Sequence, residues 1–314
     1  MRVFVTGASG HIGSAVVPEL LAAGHDVAGL ARSDAAAATV TALGATVHRG
    51  DLDDLDGLAK AAADADGVIH LAFNHGQMRS GDYASPVAAD LAVVQTLGDA
   101  LAGSGKPLVG TSGTLALAYL GRAGTEEDPG APGGRTDAEN AVTGFAERGV
   151  RSSVVRISPI THSALDRHGF ARTLIAIARR TGVAGYPGDG ANRWPAVHTL
   201  DVAHLYRLAL DDAAAGTRWH AAGDEGIPTR DIAQSIGDHL GLPVASIPAD
   251  QLQAHFGFLA TLIVLDNPTS TLATRRDLGW EPTHPGLLAD FDQGDYFLVP
   301  LRPGRPEPAI FSAL

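Results

Sequence analysis

The 314-residue sequence contains no cysteine, and only two of its 23 basic residues, Lys60 and Lys106, are lysines. Without cysteine the chain forms no disulfide, offers no thiolate to a metal and has no Cys nucleophile. That absence fits a reducing cytoplasm, the expected location. The 23 basic residues are outnumbered by 35 Asp and Glu, for a formal net charge of −12. An acidic chain gains no affinity from counterion release, so nucleic acid is not an expected partner. Long hydrophobic runs are also missing. The strongest, Phe256–Leu265, reaches about half a membrane span and reads as a buried helix or strand. The apolar start, Met1–Thr6, stops at Gly7 with no signal-type h-region or cleavage site, and no basic amphipathic helix suggests a membrane surface. No H-E-x-x-H and no compact His/carboxylate group point to a metal. Pro107 after Gly105-Lys106 spoils a phosphate-loop ending, and Gly103-Ser104-Gly105 lacks the nucleophile-elbow spacing. At 45% hydrophobic and 18% charged, the chain is expected to be globular and soluble.

What is present alternates. Strand-like runs at Arg2–Thr6, Asp26–Ala31, Ala45–Arg49, Gly67–Leu71, Pro107–Thr111 and Arg151–Ile157 are separated by helical runs at His11–Ala23, Asp34–Leu43, Leu55–Ala63, Pro86–Ala102 and Thr136–Arg148. Crossovers of 10 or more residues between strands require a parallel sheet covered on both faces, hence an α/β, doubly wound fold. From Ser158 onward the alternation loosens. Pro159–His168 and Tyr186–His198 read as loops over a site, with helices at Phe170–Thr181, Val202–Asp211, Arg230–Leu240 and near Leu287–Phe291. The expected division is 1–158 as a nucleotide-binding domain and 159–314 as a mainly substrate-binding region, with some segments returning to the first sheet.

The first strand ends in Thr6-Gly7-Ala8-Ser9-Gly10-His11-Ile12-Gly13 and runs into a helix. A dinucleotide pyrophosphate needs a tight turn, a close backbone approach and helix N–H groups aimed at it. Gly7, Gly10 and Gly13 supply these at G-x-x-G-x-x-G spacing, with Ser9, His11 and Ile12 between them. After the second strand, where NAD enzymes usually place an acidic residue for the ribose hydroxyl, stand Arg32 and Ser33. Charge and hydroxyl donation suit a 2′-phosphate, so NADP is expected as cofactor, with NAD possible. Asp51, followed by Leu52 after the third strand, is placed to meet the adenine amino group or to cap the next helix.

The glycine turn, Asp51-Leu52, His70-Leu71-Ala72-Phe73, Thr111-Ser112-Gly113 and Arg156-Ile157-Ser158-Pro159 resemble the short-chain dehydrogenase/reductase superfamily. Val197-His198-Thr199-Leu200-Asp201-Val202-Ala203 and Leu278-Gly279-Trp280-Glu281-Pro282 are similar to signatures of its extended, epimerase/dehydratase-like branch. The resemblance covers nearly the whole chain. It implies a Rossmann domain with a small C-terminal substrate-binding domain, and cofactor contacts at Leu71, Ala72, Phe73, Thr111 and Pro159. It also implies a homodimer through the helices at Pro86–Ala102 and Thr136–Arg148.

The family's Tyr, with Lys four residues on, is not written here. The five tyrosines are followed at that spacing by Val87, Ala123, Gly190, Leu210 and Pro300. Registering the helix on Glu139 puts Arg135 at the lysine position and Ala131 at the tyrosine position. Arg135 can hydrogen-bond a ribose but stays protonated and relays no proton. Ser112 falls in the catalytic hydroxyl region, where Thr114 is the alternative. His75, beside Asn74 after the fourth strand, is a candidate acid/base near neutral pH. Tyr119, His162, Tyr186, Arg193 and Trp194 are expected to line the substrate pocket. These residues point first to an atypical NADP-dependent oxidoreductase acting by hydride transfer on a small carbonyl- or imine-like substrate. The alternatives are a non-catalytic NADP(H) redox sensor and an epimerase or dehydratase.

Overall fold

The computed structural model describes residues 1–74 and 84–298. A seven-stranded, wholly parallel sheet forms its centre, in the order β10-β6-β5-β4-β1-β2-β3. The strands are β1 (Arg2–Thr6), β2 (Asp26–Ala31), β3 (Thr46–Arg49), β4 (Gly67–His70), β5 (Pro107–Gly113), β6 (Arg151–Ile157) and β10 (Thr217–Ala221). Side chains alternate across it as a pleat requires. Val3 and Val5 of β1 enter one core with α1 (Gly13–Ala22) and α7 (Thr199–Asp212), whereas Phe4 enters the other with α3 (Leu55–Asp64), α4 (Ala84–Leu101) and α5 (Arg135–Gly144). The near-continuous apolar strands of the sequence are the consequence of this two-sided burial. Helix α2 (Asp34–Ala42) links β2 to β3.

Beyond β6 a second core forms around Trp194, Phe256, Phe291 and Tyr296. It is built on β7 (Ile160–His162), β9 (Arg193–His198) and β11 (Asp224–Pro228) in the order β11-β9-β7, and on the pair β8 (Ala184–Pro187) and β12 (Val244–Ile247). Helices α6 (Phe170–Thr181) and α8 (Thr229–Leu240) cover it. Two expectations are corrected. Tyr186–His198 contains the end of β8 and all of β9 rather than a loop, and Pro159–His168 contains β7. Phe256–Leu265 is neither a regular helix nor a strand. After α9 (Leu252–Phe256) it runs through a single 3-10 turn at Gly257–Leu259 that buries Phe256, Leu259, Ala260 and Ile263.

The chain leaves β1 toward β2 and β3 on one side and β4, β5 and β6 on the other. The switch point therefore lies between the C-terminal ends of β1 and β4, where open α/β sheets form their ligand crevice.

Candidate active site

The glycine turn sits at that switch point. Gly7 has φ 72°, a left-handed value that L side chains resist, and a Cβ there would lie 2.8 Å from the Ala72 nitrogen. The turn closes with Gly10 N–H donating to Gly7 O at 3.0 Å. Gly13 opens α1 so close to β1 that a Cβ would fall 2.2 Å from Gly7 O. No side chain caps α1, and no described group accepts from the backbone N–H of His11, Ile12 or Gly13. These uncapped donors at a positive helix terminus fit a pyrophosphate.

The His11 side chain faces away from this task. Ser163 Oγ donates to Thr199 Oγ1, and Thr199 Oγ1 donates to the His162 carbonyl. The 2.8 Å contact from His11 Nε2 to Thr199 Oγ1 must then be donated by the imidazole. Burial lowers the His11 pKa against the pull of Asp166, so the ring is neutral. It moors the turn to the first turn of α7.

At the adenosine end, Arg32 and Ser33 are exposed. Ser33 Oγ caps α2 by accepting from Ala36 N at 3.2 Å, which leaves its hydroxyl proton free to donate. A second arginine, Arg49, missed in the sequence, stands opposite Ala31 at the end of β3 and pairs with Asp34 at 2.5 Å. Asp54, not Asp51, caps α3, by accepting from Gly57 N at 3.0 Å. Asp51 is left without a described side-chain partner, and Leu52 packs on the α3 and α4 core.

Below the crevice the polar groups are satisfied. His70, quoted in the sequence only within a family motif and given no role there, accepts from Thr6 Oγ1 at Nδ1 (2.7 Å) and reaches the Asp90 carboxylate from Nε2 (3.1 Å). Ala72 N–H donates back to Thr6 Oγ1 at 3.2 Å. Thr111 donates to the His70 carbonyl and accepts from Tyr206 OH, each at 2.6 Å. Burial pushes the Tyr206 phenol up, so it remains a donor. Ser112, one residue on, points to the opposite face, toward Glu139. It is buried. Leu71 packs on the α1 and α7 core. Phe73 carries the Arg135 guanidinium over its ring, 4.0 Å from the centroid. Asn74 follows Phe73, partly buried, and His75 lies outside the described residues.

Glu139 organises the other face. Its carboxylate takes Arg156 through Nε (3.0 Å) and Nη2 (2.5 Å), and Arg218 Nε at 2.8 Å. Burial alone would raise its pKa, but the hydrogen bonds and charge of Arg156, with help from Ser112 and Arg218, hold it below the usual value. Arg156 also donates to Asp128 O and contacts His220 Nε2 at 3.2 Å, while His220 Nδ1 meets Ser270 O at 2.9 Å. With its Nε2 accepting from Arg156, His220 is neutral, and burial pushes it down to about 4. Unfolded histidine titrates near 6.5, so below that pH the unfolded chain binds a proton that the fold refuses. Stability is expected to be intact above about pH 6.5 and to fall as pH drops toward 4, by up to on the order of 3 kcal/mol from this residue. Denaturant unfolding at a series of pH values checks this; a flat profile across that window would contradict it.

The other expected substrate residues are scattered. Thr114 is buried and exchanges hydrogen bonds with Asn267. Tyr119 is 58% exposed, its OH donating to Pro129 O. Trp194 lies wholly within the second core, with Nε1 donating to Leu265 O, instead of forming a pocket wall. Arg193 is tied to Asp266 at 2.8 Å, and Tyr186 sits in the β8–β12 pair. Pro159 links β6 to β7 and is partly buried. His162 bonds Asp290 at 2.8 Å through Nδ1 and stands edge-on to His198, with Nε2 buried and unpartnered. His198 stacks on His284 at 4.6 Å, and Asp201 joins them in a group of potential metal ligands that only folding brings together. Their rings are 9° from parallel, and two parallel imidazoles cannot both place one ion in their planes. Moreover His198 Nδ1 accepts from Leu200 N, while Asp201 holds Thr283 N, His284 N and His284 Nδ1. The group anchors the C-terminal segment to α7.

Comparison with known proteins agrees with this geometry. Residues 3–133 match the model of the NAD dependent epimerase/dehydratase family. An uncharacterized protein of Schizosaccharomyces pombe is 45% identical over 299 residues, covering 95% of this chain and 100% of that one. An uncharacterized protein of Saccharomyces cerevisiae is 42% identical over 294 residues, covering 92% and 97%. Among solved structures, a dTDP-glucose 4,6-dehydratase from Streptomyces venezuelae with NAD and TYD bound superposes with TM-score 0.74 at 22% identity, covering 93% and 96% of the two chains. At that identity the likeness speaks for the fold. No described helix is long and apolar enough to cross a membrane. A wholly parallel doubly wound sheet, with a glycine turn pressed against the end of β4, thus carries the family's features on this chain, which belongs to the NAD-dependent epimerase/dehydratase family.

Proposed function

We propose that the protein is an NADP-dependent oxidoreductase that moves hydride between the nicotinamide and a small carbonyl- or imine-like substrate. The observation that carries this reading is the cradle itself: Gly7, Gly10 and Gly13 bring uncapped α1 N–H groups to the β1/β4 switch point, in a turn so tight that a Cβ on Gly7 or Gly13 would strike neighbouring backbone. These residues fit a dinucleotide. His11–Gly13 N–H groups would hold the pyrophosphate, Asp51 the adenine amino group, and Arg32, Ser33 and Arg49 a 2′-phosphate. The bound nicotinamide supplies the hydride. The chain's part is to orient the substrate in the crevice and to stabilise its oxygen.

Ser112 lies on the Glu139 face of β5, turned from the crevice. Thr111 is spent on His70 O. Arg135 retains free donors at the crevice, but an arginine does not give up its proton near neutral pH. The proton that completes carbonyl reduction therefore comes from water or from a residue such as His75. Mixing the protein with NADPH and a panel of small aldehydes, ketones and imines tests the reading through loss of cofactor absorbance. Saturating NADPH binding with no absorbance loss across the panel would reject hydride transfer and leave a cofactor sensor. Substrate inversion or dehydration without net cofactor oxidation would mark an epimerase or dehydratase.

Cofactor choice gives a separate prediction. A charge-assisted contact contributes about 1.5–3 kcal/mol. Arg32→Gln is expected to weaken NADPH about 10- to 100-fold and to leave NADH within about twofold, measured by parallel titrations. Equal loss for both cofactors would remove the 2′-phosphate assignment.

A further inference from the structure

Among the described residues of the crevice, Arg135 is a cation whose surroundings are unfinished. It opens α5, and its guanidinium lies flat on the Phe73 ring at 4.0 Å. Its Nε is buried without a partner, and no described residue accepts a hydrogen bond from the guanidinium or forms an ion pair with it. The Asp90 carboxylate lies near enough to stabilise its charge electrostatically, yet Asp90 spends its hydrogen bond on His70 Nε2. Leaving a buried cation with unmet donors is costly, and proteins meet that cost by pairing it. The neighbouring groups offer nothing further: Thr111 is bonded to Tyr206 and to the His70 carbonyl, and the His70 ring to Thr6 and Asp90.

From this we infer that Arg135 clamps the carboxylate of an anionic substrate, so that the protein acts on carbonyl compounds that carry a carboxyl group. The inference rests on the oxidoreductase reading for the carbonyl, and on Arg135 alone for the carboxylate. Stacking on Phe73 fixes the plane of the guanidinium, so its in-plane edges form a rigid fork that a planar carboxylate matches with two parallel hydrogen bonds. The charge balance favours a carboxylate over a phosphate. One guanidinium with the Asp90 carboxylate nearby suits a single negative charge, whereas a phosphate dianion would meet repulsion from Asp90 and find one cation for its three oxygens.

The test needs no turnover. Matched pairs that differ in charge but hardly in shape (acetate and acetamide, oxamate and oxamide, benzoate and benzamide) are titrated calorimetrically into the complex with NADP⁺. At least one carboxylate is expected to bind about 10- to 100-fold tighter than its amide. Arg135→Gln should erase that preference, and Arg135→Lys, which keeps the charge but not the fork, should retain only part of it. In both variants NADP⁺ affinity and the unfolding midpoint should stay near the wild-type values. Three results would overturn the proposal: no carboxylate preference in the wild type, a preference that survives Arg135→Gln, or loss of NADP⁺ binding in both variants, which would make Arg135 a ribose ligand. If the preference is present but no carboxylated carbonyl is reduced, the oxidoreductase reading fails and the carboxylate site stands.

Discussion

Glu139→Gln is expected to cost about 3–5 kcal/mol of folding stability, the magnitude for removing one partner of a buried ion pair. Glu139 and Arg156 both have wholly buried side chains, and Arg218 shares the same carboxylate. Neutralising Glu139 leaves the Arg156 guanidinium inside the protein, facing a neutral His220 that burial holds against protonation. Nor can the amide reproduce the arrangement, since its NH₂ end would point a donor at donors. Denaturant unfolding, with an unchanged dependence on denaturant concentration, measures the loss. A loss below about 1 kcal/mol would show that water or a rearranged side chain reaches this network. Arg156→Met combined with Glu139→Leu should recover much of the deficit, because an apolar pair of similar volume removes the stranded charge. Arg218 keeps the recovery incomplete.

The second large effect falls on the cofactor cradle. Gly13→Ala places a methyl group 2.2 Å from Gly7 O and 2.7 Å from the Ala8 backbone. Backbone atoms cannot rotate away as a side chain can, so α1 must shift from β1. Overpacking of this kind costs about 1–3 kcal/mol of stability. Moving the helix end also misdirects the N–H groups of His11–Gly13. Losing one or two charge-assisted hydrogen bonds is expected to weaken NADPH at least about tenfold. Gly24→Ala is the control. Gly24 also has a left-handed φ, 84°, but nothing lies within 4 Å of its added Cβ. It should lose about 1 kcal/mol for the backbone strain alone and bind NADPH normally. Equal affinity loss in the two variants would mean that general destabilisation, not the cradle, controls binding.

The alternation through β6 was legible because each βα unit carries its own signal: an apolar run, a Gly or Asp turn and a helical period. Arg151–Ile157 and Phe170–Thr181 coincide with β6 and α6. The same reasoning failed at Tyr186–His198, where Gly, Pro and Trp within 13 residues suggested loops. There β8 pairs with β12, nearly 60 residues later, and β9 lies between β7 and β11. Pairings at that separation leave no local periodicity. The glycine turn was readable for the same local reason that made the first half readable. Arg49 was not, because only the β2–β3 register brings it opposite Ala31. The His70–Asp90 contact joins residues 20 apart on different elements, and Ser112's surroundings depend on which face of β5 it occupies. Spacing alone placed Ser112 near the chemistry; the pleat turned its side chain toward Glu139. Trp194 shows the converse, an aromatic in a Pro-rich stretch that proves to fill a core.

The central claim is that the β1/β4 crevice holds a phosphorylated dinucleotide, and a direct titration of the protein with NADPH and with NADH, followed by cofactor fluorescence, tests it. Saturable binding of one dinucleotide per chain is expected, with NADPH at least about tenfold tighter than NADH and its affinity lost in Gly13→Ala. Absence of saturable binding by either cofactor, or tighter binding of NADH, would contradict the account.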